Sequence, residues 1–331
     1  MSKEKPVMFV TGSLNYDITL YVDRFAPPKA VVKRLKRFLG GSGGNSAVAA
    51  ARVLGAGAVV FFGAVGKDSI GEMHLEALRR EGIITEIIRV VSDAESGQAY
   101  VAINREGETA IYSYYGANLR LTPEEVGDDV LEYLSVVKTV LIMNPPLPTA
   151  LELAEKASTL GKLVLWDPGA YSHLGLKVLA PVIKYIDILA PNEGELLSMT
   201  GHASIKEAAE ALWKLSPSLK VLVKRGEEGS MLLIPDNGKY ILVSAVSPED
   251  LGYKTISTVG CGDSYIGVFS ALLTLGYDEV EAMKVATCAA TLNAAKEGPR
   301  GVPKREELLR WFEACKVLIS VTEGSVEDLK L

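Results

Sequence analysis

The chain has 331 residues, 48% of them hydrophobic and 23% charged. That is an ordinary globular balance, ample for a sizeable core, and it excludes disordered, collagen-like and low-complexity chains. The 35 Lys+Arg against 41 Asp+Glu leave a net charge of −6 with no long run of one sign, which argues against a nucleic-acid backbone as partner.

Apolar strand-like runs begin at Val7–Gly12 and continue at Ala58–Gly63, Val137–Met143, Leu163–Trp166, Ile186–Ala190 and Val221–Lys224. Their continuous apolar character fits a sheet buried on both faces. Between them lie helical patterns at Asn45–Leu54, Gly71–Glu81, Pro123–Leu134, Ala150–Leu160, Ile205–Leu215 and Ser264–Leu275. This alternation predicts an α/β fold with a mostly parallel central sheet flanked by helices. Segments 15–38 and 96–115 break the rhythm with strand-like alternation, and Asn104–Glu108 reads as a hairpin turn. They are expected to form a small antiparallel sheet over a cleft, within one domain spanning 1–331.

No uncharged stretch is long enough to span a bilayer. Gly12, Asn15 and Asp17 interrupt the apolar start, so a leader is not expected and a cytoplasmic location is. Cys261, Cys288 and Cys315 are odd in number and widely spaced, which predicts reduced, mostly buried thiols.

Three segments carry chemistry. Gly260-Cys261-Gly262-Asp263 leads directly into an apolar helix, where backbone N–H groups and the helix dipole make an anion site. Asp263 could accept the proton of a hydroxyl attacking a phosphoryl group, or simply cap the helix. Gly40-Gly41-Ser42-Gly43-Gly44-Asn45 precedes another helix and suits close approach of a small polar molecule, with Asn45 as cap or hydroxyl partner. It lacks the Gly-Lys-Ser/Thr of a nucleotide P-loop. Asn192-Glu193-Gly194-Glu195 places Asn192 and Glu195 on one side of a helix turn, where a carboxylate could hold Mg²⁺ through water or serve the helix dipole alone.

In this order the segments resemble the ribokinase-like (PfkB) family of carbohydrate kinases. The resemblance also takes in Gly12–Asp17, Gly63–Asp68, Tyr115–Asn118 and the glycines Gly226 and Gly229, and so spans essentially the whole chain. It implies a three-layer α/β domain with a β-lid and phosphoryl transfer from ATP, or from ADP, to a hydroxyl of a sugar or nucleoside. By the same resemblance Asp263 is the base and the amides of Gly260, Cys261 and Gly262 form the anion hole. Asn15, Asp17, Gly40, Gly41 and Asn45 would hold substrate, and Asn144 stands where ribose-specific members carry Glu. Asn192, Lys224, Gly226, Gly229, Gly262, Asn293 and Gly298 would contact nucleotide, with Glu195 organising Mg²⁺. Ser257 replaces the family's Asp, which leaves a monovalent-cation site open. Alternatives are a kinase of sugar acids or sugar phosphates, or a sugar- or nucleotide-sensing protein on the same fold.

His74, His173 and His202 sit in no motif and read as surface or structural residues. Tyr112, Tyr114 and Tyr115 read as packing of the small sheet, or as stacking partners for a ring. Lys33–Arg37 alternates like a solvated strand, with recruitment of an anionic substrate as the second reading. Val22, Phe25, Val101, Ile103, Ile111 and Tyr112 offer apolar material for pairing two such sheets. The expectation is a homodimer.

Overall fold

In chain order the first half runs β1 (Met8–Gly12), β2 (Asn15–Val22), β3 (Val32–Gly40), α1 (Ser42–Leu54), β4 (Val59–Phe62), β5 (Ala64–Gly66), α2 (Ser69–Arg80), β6 (Arg89–Val91), β7 (Gly97–Ile103) and β8 (Thr109–Tyr114). The second half runs α3 (Asp128–Val136), β9 (Thr139–Met143), α4 (Leu147–Thr159), β10 (Leu163–Asp167), α5 (Leu176–Ile183), β11 (Ile188–Leu189), α6 (Glu193–Thr200), α7 (Ile205–Leu215), β12 (Lys220–Lys224), β13 (Ser230–Ile234), β14 (Lys239–Val243), α8 (Cys261–Thr274), α9 (Glu279–Ala294), α10 (Arg305–Cys315) and β15 (Val321–Ser325). The computed structural model describes residues 6–25, 31–106 and 108–329.

The nine-stranded central sheet has the order β15-β14-β13-β12-β11-β10-β9-β1-β4. It is parallel from β4 to β12 and antiparallel beyond. Successive strand residues point to opposite faces, and both faces are covered. Met8, Val10, Phe61, Leu141 and Leu165 pack with α1, α8 and α9 on one side. Phe9, Phe62, Ile142 and Trp166 pack with α3, α4 and α7 on the other. This is the three-layer α/β architecture expected, and the apolar runs supply its buried centre. The antiparallel extension lacked their signal because β14 and β15 are partly exposed. The helical pattern at 123–134 is broken in two, since Gly127 caps α3 and the preceding residues form a 3₁₀ turn.

A separate four-stranded sheet, β3-β2-β7-β8, is built from the two irregular segments. It is not wholly antiparallel. β2 and β3, and β7 and β8, pair antiparallel, but β2 and β7 run parallel because α1, β4 and α2 intervene between them in the chain. The hairpin forms as expected, with Asn104 N donating to Glu108 O at 3.1 Å and Glu108 N donating to Asn104 Oδ1 at 2.8 Å. Strand register separates two faces. Asp17 pairs with Phe38 and Ala99 on one; Ile18, Tyr100 and Tyr112 align on the other.

The cysteine expectation is corrected. Cys288 and Cys315 form a disulfide, because α9 and α10 pack together and bring residues 27 apart in sequence side by side. Cys261 alone is free. No described helix is long and apolar enough to cross a membrane.

Candidate active site

Parallel strands end at the same edge of a sheet, and ligands of open α/β folds bind there. Here β1, β9, β10 and β12 bring Gly12, Met143-Asn144, Asp167 and Lys224 to one edge. Two helix starts close over that edge. Gly41 precedes α1 at φ 86°, where a Cβ would lie 2.5 Å from Ser13 O. Gly260 precedes α8 at φ 77°, where a Cβ would lie 2.5 Å from Pro299 O. Only glycine fits either turn.

Two cavities meet at this edge. The smaller, about 190 Å³, is lined by Ser42, Asn144, Asp167, Glu195, Lys224 and Asp263, with Gly260 and Gly262. The larger, about 760 Å³, runs past Gly226, Gly229, Val246, Pro248, Cys261, Ala290 and Thr291. Asn192, Lys224 and Gly262 line both. At Gly229 the backbone turns at φ 91° so tightly that a Cβ would lie 2.0 Å from Val243 O.

Asp263 lies in the first turn of α8 and is half-buried. Its Oδ2 accepts from Asn45 Nδ2 at 2.8 Å. Burial pushes its carboxyl up, Asn45's hydrogen bond opposes that, and Asp167 adds to it while Lys224 and Ser42 oppose it. Asp167 itself forms an ion pair with Lys224. Neither Asp167 nor Ser42 was singled out from the sequence, although an Asp closing an apolar strand at the sheet's carboxyl edge is a usable signal. The amides of Gly260, Gly262 and Asp263 have no hydrogen-bond partner among the described residues, whereas Cys261 N donates to Thr258 O at 3.2 Å. Of the three amides expected to form an anion hole, that of Cys261 is engaged within the turn.

On α6, Asn192 Oδ1 accepts from Glu195 N and Glu195 Oε2 accepts from Asn192 N, each at 2.8 Å. This capping box points Glu195 at the small cavity, where burial and Asp167 push its carboxyl up while Lys224 opposes them. Asp167, paired with Lys224, and Asp263 line the same cavity, and the half-buried Glu195 is the carboxylate there that would hold a divalent cation through water. Among the described residues no group of three or more His, Cys, Asp or Glu side chains is placed to hold a metal ion directly.

Asp17 lies across the site on the inner face of the small sheet. Burial, with Asp263's charge adding and Arg300's opposing, raises its carboxyl to about 7. Asn15 Oδ1 accepts from Asn118 Nδ2 at 3.0 Å. Asn45 is 4% exposed, and Arg300 Nε donates to its Oδ1 at 3.2 Å. Both ends of the Asn45 amide are thus engaged, so Asn45 is less available to a substrate hydroxyl than expected. Arg300 had no signal in the sequence. Asn144 lines the small cavity at φ 52°, with its Oδ1 buried and unpartnered.

Two expected nucleotide residues lie outside both cavities. Asn293 is fully buried, its Oδ1 accepting from Gly301 N at 2.6 Å and its Nδ2 donating to Val259 O at 3.1 Å, so it holds loops together. Gly298, at φ 81°, packs against the ring of Phe38. Ser257 Oγ accepts from Val259 N within its own turn. His74 is buried in the core, while Tyr112, Tyr114 and Tyr115 are exposed rather than packed within the chain. Lys33 pairs with Asp23, and Arg34 and Lys36 pair with Glu297, which spends most of that basic strand.

The family model of the pfkB family carbohydrate kinases matches residues 6–305. The chain belongs to this family. It is a carbohydrate kinase, a phosphotransferase of the ribokinase type. It is 30% identical over 310 residues to a ribokinase of Staphylococcus aureus, covering 90% of this chain and 97% of that one. It is 28% identical over 295 residues to an ATP-dependent ribose-1-phosphate kinase of Halopiger xanaduensis, covering 88% and 93%. The solved structure of Arabidopsis thaliana ribokinase complexed with ribose and ATP superposes with a TM-score of 0.84 at 28% identity, covering 93% of this chain and 99% of that one.

Proposed function

We propose that this kinase moves the γ-phosphate of ATP to a hydroxyl of a sugar or nucleoside, with Asp263 as general base. The observation that carries the reading is the junction of the two cavities: Asp263 lines the small one, Gly262 and Lys224 line both, and unpartnered amides at the start of α8 sit between them. The larger cavity is long, glycine-turned at Gly226 and Gly229 and partly apolar at Val246 and Ala290, which suits a nucleotide. The ribokinases among its relatives support a pentose-like acceptor.

Asp263 takes the acceptor's proton as the oxygen attacks phosphorus. The amides of Gly260, Gly262 and Asp263, backed by the α8 dipole, hold the charge that gathers on the phosphoryl oxygens. Lys224, ion-paired with Asp167, sits where the two substrates meet. Glu195 would hold Mg²⁺ through water, and the ion's chemistry is to neutralise phosphate charge. Asp17 and Asn15 hold acceptor hydroxyls, and the small sheet that carries them acts as a lid.

The outer face of that sheet presents Ile18, Leu35, Tyr100, Tyr112 and Tyr114, and among the described residues its edges β3 and β8 pair with no further strand. An apolar face with open edges suits a second copy of the sheet, so the working form is a homodimer.

A sugar phosphate is the second acceptor class. It is favoured by the ribose-1-phosphate kinase relative. A panel of sugars, nucleosides and sugar phosphates, each with ATP and with ADP, tests both readings. The Asp263→Asn variant tests the base: kcat should fall at least ~100-fold with acceptor binding retained. Activity within a few-fold of the parent removes Asp263 from that role.

A further inference from the structure

Asn45 stands between two charged groups. Arg300 Nε donates to its Oδ1 at 3.2 Å, and its Nδ2 donates to Asp263 Oδ2 at 2.8 Å. A guanidinium only donates hydrogen bonds and an ionised carboxylate only accepts them. With both neighbours in place the amide has one workable orientation, because the flipped amide would set oxygen against carboxylate and NH₂ against guanidinium.

Arg300 is itself held. Its Nη2 reaches Gly40 O at 3.4 Å, and its own backbone carbonyl accepts from Arg52 Nη1 at 2.7 Å. A Cβ on Gly44 would lie 2.7 Å from Nη2, so that glycine leaves the space the guanidinium occupies.

We propose that Arg300 is a positioning residue for phosphoryl transfer: by fixing the Asn45 amide it commits Asp263 Oδ2 to a hydrogen bond and leaves Oδ1 to take the acceptor's proton. As the acceptor oxygen bonds to phosphorus, its proton passes to Oδ1 and the bridging oxygen leaves with the nucleoside diphosphate. The proposal rests on the reading of Asp263 as base. The hydrogen bond also matters for charge. Asp263 is faced by Asp17 on β2, Asp167 on β10 and Glu195 on α6, and by the cations Lys224 on β12 and Arg300. Against burial and the charge of Asp167, Asn45's donation is the largest local influence that favours the ionised base, with Lys224 and the Ser42 hydroxyl adding to it.

The test compares Arg300→Met, which removes the donor, with Arg300→Gln, which keeps a donor and removes the charge. In Arg300→Met the acid limb of the kcat–pH profile should move up by about one pH unit. Its kcat near the foot of that limb should fall about tenfold, while the KM for ATP and the melting temperature stay close to the parent's. Arg300→Gln should bring kcat back to within about threefold and return the limb. The proposal is overturned if Arg300→Met leaves limb and kcat unchanged, if Gln and Met lose activity equally, or if ATP binding and melting temperature fall in step with kcat. Asp263→Asn in the same assay separates the two failures. If it stays active, the reading of the base is wrong; if it is inactive while Arg300→Met is normal, only Arg300's role is wrong.

Discussion

Gly40 lies so close to Asp17 that a Cβ on the glycine would sit 2.0 Å from Asp17 Oδ2. The carboxylate is thereby packed onto the backbone that leads into α1, within reach of the charges of Asp263 and Arg300. Burial raises it to about 7, so near neutrality the free protein carries it partly protonated.

A protonated Asp17 accepts hydroxyl bonds poorly. The KM for the acceptor should therefore fall as pH rises from about 6 to 8, and this dependence should vanish in Asp17→Asn. Stability runs the other way. A carboxyl whose folded pKa exceeds the unfolded value makes the native state bind more protons, so stability drops as pH climbs from about 4 to 7. Asp17→Asn should accordingly melt higher than the parent at pH 7 while its acceptor KM rises steeply. Thermal scans and steady-state kinetics at matched pH check both signs.

Lys224 is the lone cation lining the small cavity, against Asp167, Glu195 and Asp263. Replacing it with Met strands a buried carboxylate, a loss of about 3–5 kcal/mol, and should raise the KM for ATP. Adding Asp167→Asn should recover much of the stability but none of the activity. Denaturant titration of the two variants beside kinetics separates these contributions.

Closing the 27-residue span between Cys288 and Cys315 restricts the unfolded chain by about 3–4 kcal/mol. Incubation with a strong reductant should lower the melting temperature, and Cys288→Ser should reproduce the change without added reductant. Thiol titration of the unreduced, denatured protein should find only Cys261.

Light scattering at micromolar concentration should give the mass of a dimer, and Tyr112→Lys should give a monomer with a weakened acceptor KM. Tyr112 is 69% exposed and lies on the outer face. Val101 shares Asp17's face and Val22 is buried, so neither belongs to that surface. The side chain of Ile111 lies outside the described residues.

The central sheet was legible because strands buried on both faces must be continuously apolar, and helices between them must be amphipathic. The same logic is blind to β14 and β15, whose residues are half-exposed, and to a parallel pairing between β2 and β7 that only chain topology can dictate. Asp263 announced itself through a glycine turn at a helix start and Glu195 through its spacing from Asn192, whereas Gly229, which turns the chain into β13, came only with the family resemblance. Arg300 did not announce itself, since nothing local in Gly-Pro-Arg-Gly distinguishes a solvated arginine from one turned inward against Asn45. Asn293 was a nucleotide residue only by the family resemblance, and packing spends its amide on two backbone groups. The disulfide was hidden for a related reason: the packing of α9 on α10, and not their spacing, decides it.

The small sheet is fastened to the body partly through Lys36 and Arg34 on Glu297, a carboxylate half-open to water. Contacts of this kind weaken as dissolved ions crowd in, with the range of an exposed charge shrinking from about 10 Å at 0.1 M to about 3 Å at 1 M. The apolar seat of Phe38 on Gly298, a few residues along the same strand, feels no such screening. Rising ionic strength is thus expected to loosen one corner of the sheet while the other stays hinged, and with the sheet as the proposed lid the KM for the acceptor should vary with background electrolyte separately from any effect on the nucleotide.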